Sequence, residues 1–175
     1  MKKVLGVAIL LLLFSVSFVF SQDKEFYEKT QIISPILGVN SYTVPFGANF
    51  EYGITENVGI GGTAMYWSWG GRMYSNSLIS LSADAAYHFT SLEVDKLDLF
   101  AGGGLGISIY SYSWKSGYDG GVYGGAGSSG LFLEPFAGAR YYFSPKISGF
   151  TRLHVNVVGS WAGVGGVLGV SFRLK

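Results

Sequence analysis

Val44-Pro45-Phe46-Gly47-Ala48-Asn49-Phe50-Glu51-Tyr52-Gly53-Ile54 decides how the rest of this chain is read. Val44, Phe46, Ala48, Phe50, Tyr52 and Ile54 fall on one parity, and Pro45, Gly47, Asn49, Glu51 and Gly53 on the other. Successive side chains of a β-strand point to opposite faces. A period of two therefore sets one face of this strand in an apolar medium and the other in a polar, crowded one.

The same alternation recurs in both directions. Ile79, Leu81, Ala83, Ala85, Tyr87 and Phe89 oppose Ser80, Ser82, Asp84 and His88. Leu99, Ala101, Leu105, Ile107 and Ile109 oppose Gly102, Gly104, Gly106 and Ser108. Ala137, Ala139, Tyr141 and Phe143 oppose Glu134, Gly138, Arg140 and Tyr142, and Leu153, Val155 and Val157 oppose Arg152, His154 and Asn156. Val164, Leu168, Val170, Phe172 and Leu174 oppose Gly165, Gly169, Ser171, Arg173 and Lys175. Weaker runs near Ile32 to Tyr42 and Val58 to Trp67 bring the expected strands to eight. Thr55-Glu56-Asn57 and Ser144-Pro145-Lys146 carry tight-turn chemistry, whereas Ser68 to Ser77 and Ser111 to Gly130 read as long loops. Thr90 to Leu97 is long for a turn, and Ser41 to Thr43 is short for a loop. Pro135 predicts a bulge or a later strand start, because a closed sheet has no edge on which to seat it.

Composition says what medium the sheet meets. Aromatic residues make up 17% of the 175 positions and charged residues 13%, against about 25% charged in a soluble domain. The chain opens with Lys2 and Lys3, runs uncharged from Val4 to Phe20, and offers Val19-Phe20-Ser21 as a cleavage site. Met1 to Ser21 is therefore expected to be a signal peptide, residues 22–31 a short periplasmic segment, and 32–175 a barrel. Beyond the leader no stretch reaches the ~20 apolar residues of a helical span. Leu99 to Trp114 and Val155 to Phe172 are long and uncharged, but Gly and Ser interrupt both repeatedly. A chain too apolar for water and without spanning helices enters a bilayer by closing a sheet, so that every backbone N–H and C=O is paired. A soluble barrel would instead wet its polar face, and that face would be rich in Lys and Glu rather than Gly and Ser. Cysteine is absent, which excludes disulfides and thiolate metal sites. Without Lys2 and Lys3 the remainder carries one acidic residue in excess, so no nucleic-acid partner is expected. The fold class read here is all-β: an eight-stranded antiparallel transmembrane β-barrel.

Phe46-Gly47-Ala48-Asn49-Phe50-Glu51-Tyr52-Gly53-Ile54, followed by Thr55-Glu56-Asn57-Val58-Gly59-Ile60-Gly61, resembles the second and third strands of the outer membrane beta-barrel domain family, the small porin-family and OmpX-like barrels. Glu134 to Lys146 resembles the sixth strand and turn of that family, and Val170-Ser171-Phe172-Arg173-Leu174 its last strand. The resemblance implies residence in the outer membrane, contact with its lipid, and insertion by the outer-membrane assembly machinery. Many members end in an aromatic residue, and here Phe172 stands nearest the end, before Leu174-Lys175.

The expected inward set is Glu51, Asp84, Glu134, Arg140, Arg152, His154 and Arg173. An eight-stranded barrel is just wide enough for its own side chains, so these charges are expected to pair and plug it. Glu134 and Arg152 stand on neighbouring strands, and Glu51 is placed to reach across. A narrow ion path is the alternative. A lipid-modifying enzyme is the second, with only His88 and His154 available and no Ser beside His154 on its face. Aromatic girdles are expected from Tyr42, Tyr66, Trp67, Tyr110, Tyr112 and Trp161 at the outer rim, and from Tyr52, Tyr87, Phe89, Tyr141 and Phe143 at the inner. Trp67, Trp69, Tyr74, Tyr112, Trp114, Tyr118 and Tyr123 lie in or beside the external loops and are the expected surface for an extracellular ligand. Gly125 to Gly130 fits the dinucleotide fingerprint but lacks its strand–helix setting, so it reads as a loop tip. No catalysis, cofactor or metal is expected, and the barrel is expected to be monomeric.

Overall fold

The alternating segments form eight antiparallel strands, each paired with the next, and the last returns to the first to close a barrel. They are β1 (Gln31–Val39), β2 (Phe46–Gly53), β3 (Val58–Gly70), β4 (Tyr74–His88), β5 (Leu97–Trp114), β6 (Gly127–Ser144), β7 (Ile147–Asn156) and β8 (Gly163–Arg173). The structure is a computed structural model and describes residues 26–39, 44–90, 95–114, 127–158 and 163–174. The expected leader, Tyr42, Tyr118, Tyr123 and Trp161 lie outside the described residues.

Polarity is inverted relative to a soluble sheet. Phe50, Ile60, Leu81, Leu105, Leu133, Leu153 and Leu168 are exposed on the outer face, Leu105 by 62%. Glu51, Asp84, Glu134, Arg140 and Arg152 are buried inside. Such an apolar exterior would be untenable in water over a continuous belt and is what lipid requires. Among the described residues no helix is long and apolar enough to cross a membrane.

Glycines on the inner face make the filling possible. One hydrogen-bonded row reads Glu51, Gly61, Asp84, Gly104, Glu134 across β2 to β6, a charged residue beside a glycine at each step. A Cβ at Gly104 would lie 2.5 Å from Asp84 Oδ1, and one at Gly138 would strike the Phe100 ring. The large side chains lean into the space that the missing Cβ atoms leave.

Two prolines stand inside strands, and across Pro135 the pairing with β7 slips by one residue, from Phe136–His154 to Leu133–Val158, the bulge that its position predicts. Pro135 pairs with Gly103 on β5, while the regular ladder to β7 stops at Phe136 and resumes only as the single bridge Leu133–Val158. Pro35 pairs with Ala48 on β2, and the ladder to β8 skips from Ile33 to Ile36. Each proline sits at an interruption in one flanking ladder, where its missing N–H has no partner to forfeit.

The strands differ in height. The β2–β3 ladder ends at Phe46–Tyr66, whereas β3–β4 continues to Gly70–Ser75, β4–β5 to Tyr74–Trp114 and β5–β6 to Ser111–Gly127. One side of the barrel thus rises as a four-stranded wall, about four residues or roughly 13 Å above its neighbours. Three expectations change. The stretch Ser68 to Ser77 is not a long loop, since only residues 71–73 separate β3 from β4. Trp69, Tyr74, Tyr112 and Trp114 are strand residues, and Gly127 to Gly130, read as part of a loop tip, opens β6. Ser- and Gly-rich strands above the apolar belt imitate loop composition.

Candidate functional site

The lumen is filled in layers. At the end that carries the tight turns, Arg140 from β6 reaches across to Glu51 on β2, donating from Nη2 to Oε2, and donates from Nη1 to Asp98 Oδ2 at 3.3 Å. His88 lies between the same two carboxylates, Nδ1 2.7 Å from Asp98 Oδ1 and Nε2 2.7 Å from Glu51 Oε1. The imidazole thus bridges the same two carboxylates that Arg140 joins. The guanidinium also stacks over Phe100 and Phe150, at 5.0 and 5.3 Å from the ring centroids.

The second layer is built on Arg152 of β7. Its Nη1 donates to Asp84 Oδ2 at 3.0 Å and its Nη2 to Glu134 Oε1 at 3.2 Å, while the guanidinium covers Phe136 at 4.7 Å. Asp84 also accepts from Thr63 Oγ1 at 2.5 Å and Ser82 Oγ at 2.7 Å, and Asn49 donates to Thr63 Oγ1 at 3.0 Å. A cavity of about 20 Å³, room for about one water, lies between the layers and touches Glu51, Gly61, Asp84, Phe100, Arg140 and Arg152. Toward the other end Ile36, Met65 and Val167 are buried, with Trp67 packed against that apolar cluster.

A short N-terminal segment covers the turn end. Phe26 is fully buried and lies flat on His88, with centroids 3.6 Å apart and planes 5° from parallel. Lys29 takes a positive φ of 66°, and the turn is tied down by Lys29 N donating to Gly53 O and Gly53 N to Thr30 O, both 2.8 Å. Gly53 has no side chain where the Tyr27 carbonyl and the Phe26 ring pass.

Glu51, Asp84, Glu134, Arg140 and Arg152 are thus brought together in two layers. His154 stands at the edge of the second, Nδ1 4.0 Å from Glu134 Oε1, and fills the space beside Gly165. Arg173 lies at the turn-end rim, its guanidinium over the Tyr27 and Tyr142 rings at 5.2 and 4.7 Å. His88, Asp98 and Phe26 were not among the expected site residues. The parity of Ser80, Ser82, Asp84 and His88 already pointed His88 inward, and Phe100, two residues on from Asp98, shares its face. Phe26 precedes the first strand and carries no periodic signal. Among the described residues no group of three or more acidic or histidine side chains is arranged to hold a metal ion.

The expected outer girdle needs correction. Tyr66 faces outward, but Trp67, Tyr110 and Tyr112 share the inward parity of Met65, Ser108 and Phe100 on their strands. With Trp69, Tyr74 and Trp114 they form the concave face of the wall. Trp69 and Tyr110 lie 6.1 Å apart, Tyr74 and Tyr112 6.0 Å, and Tyr112 and Trp114 5.6 Å; Tyr110 donates to Asn76 Oδ1 at 2.5 Å.

No protein-family model matches the chain, and no curated protein matches it significantly. Solved structures do. The N-terminal β-barrel domain of OprF from Pseudomonas aeruginosa aligns over 84% of this chain and 98% of its own, with 19% identity and a TM-score of 0.62. The outer membrane protein OprG of the same organism aligns over 87% of this chain and all of its own, with 10% identity and a TM-score of 0.61. Ail, the attachment invasion locus protein of Yersinia pestis, aligns over 85% of this chain and all of its own, with 16% identity and a TM-score of 0.55. The inverted polarity, the closed eight-strand order and these likenesses agree: the chain has the fold of the small eight-stranded outer-membrane barrels.

Proposed function

We propose that this chain is a monomeric outer-membrane barrel with a sealed lumen, inserted by the outer-membrane assembly machinery, and that its activity lies in surface binding by the wall rather than in transport or catalysis. The observation that carries the reading is the filling of the interior. Two ion-paired layers, the rings of Phe100, Phe136 and Phe150, and an apolar cluster occupy its length. Opening a path would separate charges that have left water, which is far less favourable than leaving them paired. The turn end is covered again by Phe26. Ail, an attachment protein by name, shares this fold and lends surface binding an analogy.

Purified barrel in planar lipid bilayers tests the seal. Insertion without steady conductance is the expected result, and a stable, large conductance from the folded chain would overturn it. Cell fractionation with heat-modifiable migration on a gel tests the membrane assignment separately.

A further inference from the structure

The barrel closes where β8 meets β1, and that seam is thin at the end that carries the tight turns. From Ile36–Gly169 to Val39–Gly166 the two strands pair regularly. Nearer the turn end the ladder is reduced to Ile32–Arg173 and Ile33–Phe172, followed by Leu174 N donating to Gln31 O at 2.8 Å. Pro35 separates the two stretches. Hydrogen-bonded positions of an antiparallel ladder recur at every second residue, so Pro35 holds the phase of Gln31 and Ile33, and its missing N–H falls on the seam. A side-chain bond spans the gap instead, Ser34 Oγ lying 2.7 Å from Ser171 Oγ with both residues buried. The other flanks are whole. β1 pairs with β2 without a break from Gln31–Tyr52 to Leu37–Phe46, and β8 pairs with β7 from Ile147–Phe172 to Asn156–Gly163. Loosening at this end would therefore part β8 from β1 and leave each strand with its other neighbour.

Residues 26–30 lie across that weak stretch. On one side of it, Lys29 N donates to Gly53 O and Gly53 N to Thr30 O on β2, while Phe26 is fully buried with its ring flat on His88 of β4. On the other side, the Arg173 guanidinium at the end of β8 lies 5.2 Å from the centre of the Tyr27 ring. The short span between these holds is itself tied, Thr30 N donating to Tyr27 O and Tyr27 N to Thr30 Oγ1, both at 3.2 Å. One segment thus grips β2 and β4 with its backbone and Phe26, and β8 with Tyr27.

We propose that residues 26–30 are a latch across the β8–β1 seam. Seated, the segment fixes β8 against β1 and β2 at the turn end. Released, it lets β8 and β1 part as far as Pro35, while the regular pairing beyond Ile36 keeps the barrel closed. The latch requires neither a sealed lumen nor a ligand on the wall.

Amide hydrogen exchange of the full chain, folded in phospholipid nanodiscs and read residue by residue by NMR, tests it. In the wild-type chain the amides of Lys29, Gly53, Ile33, Phe172 and Leu174 should share one protection factor, as members of one opening unit. Phe26→Ala should speed exchange at Ile33, Phe172 and Leu174 about tenfold. The Tyr142 amide, which donates to Lys96 O at 2.8 Å between β5 and β6, should keep its rate. Gly53→Ala reaches the same result by another route, since its Cβ would stand 2.5 Å from Tyr27 O and lift the segment with Phe26 intact. The wild-type measurement stands even if a variant misfolds. Three results would each overturn the latch: seam amides that hold their rates while Lys29 and Gly53 speed up, an equal rise at Tyr142, or wild-type Lys29 and Gly53 amides far less protected than those of the seam.

Discussion

Replacing Arg140 by Met removes a charge from the best-enclosed point of the lumen. Arg140 is 1% exposed and donates to both Glu51 and Asp98. Hydrogen bonds to charged groups contribute about 1.5–3 kcal/mol each, so two suggest a loss of about 3–6 kcal/mol. Removing one partner of a buried ion pair typically costs about 3–5 kcal/mol, because the other charge is left uncompensated. Met keeps the apolar stem between Phe100 and Phe150, so lost packing adds little. The expected loss is therefore about 4 kcal/mol. Urea unfolding of the barrel inserted in lipid vesicles, followed by tryptophan fluorescence, measures it. Glu51→Met in the same background should restore part of the loss, giving a coupling of about 1–3 kcal/mol. Lys29→Met is the control, since the exposed Lys29 ammonium meets Glu28 at 3.6 Å on the surface, and should do nothing measurable. A loss below about 1 kcal/mol, or strict additivity with Glu51→Met, would mean that water screens Arg140, and the sealed lumen would fall.

Two further outcomes are expected. Phe26→Ala should leave the unfolding midpoint of the barrel nearly unchanged, because residues 26–30 lie outside its strands, yet the amides of Lys29 and Gly53 should exchange with solvent about tenfold faster as the turn-end cover opens locally; hydrogen exchange by mass spectrometry or NMR reads this, and unaltered rates would show that Phe26 does not hold the segment down. Leu105→Arg, in the middle of the outer belt, should destabilise the inserted barrel by about 2–4 kcal/mol, while Ser113→Arg on the outer face of the wall should stay within about 0.5 kcal/mol; equal effects in vesicle unfolding would misplace the bilayer.

The barrel was legible because its signal is the simplest a strand can carry. Val44 to Ile54 alternates without exception, and Glu51, Asp84, Glu134, Arg140 and Arg152 take the parity of their strands. Partners across the lumen were harder to read. Glu51 meets Arg140 from the opposite side of the barrel, a relation fixed by closure and strand stagger that no local pattern encodes. His88 was visible as an inward residue, but its importance comes from Asp98 and Phe26, which reach it from β5 and from beyond the first strand. The glycines read as a small-residue face, while their role as sockets appears only once a neighbouring side chain is seen leaning into each one.

The wall was misread for a physical reason that bears on how such chains are parsed. Apolar-out was carried upward as a fixed rule, so Ser75, Ser77, Ser111 and Ser113 looked like loop and the rings between them like girdle. Parity itself never slips: Ser77 still pairs with Ser111 and Leu78 with Tyr110, in register with Ile79–Ile109 below. Only the solvent on each side changes. A phase reversal in an otherwise regular alternation is thus a marker of the bilayer surface, sharper than the aromatic girdle because it is set by both faces at once. Had the reversal come from a bulge, the pairing would shift there by one residue; the ladders β3–β4, β4–β5 and β5–β6 instead keep one register throughout their described length. Membrane depth measured by spin labels at Ser77, Ile79 and Leu81 should therefore step from water into lipid between the first and second of these, and a gradual or absent step would dissolve the distinction between belt and wall.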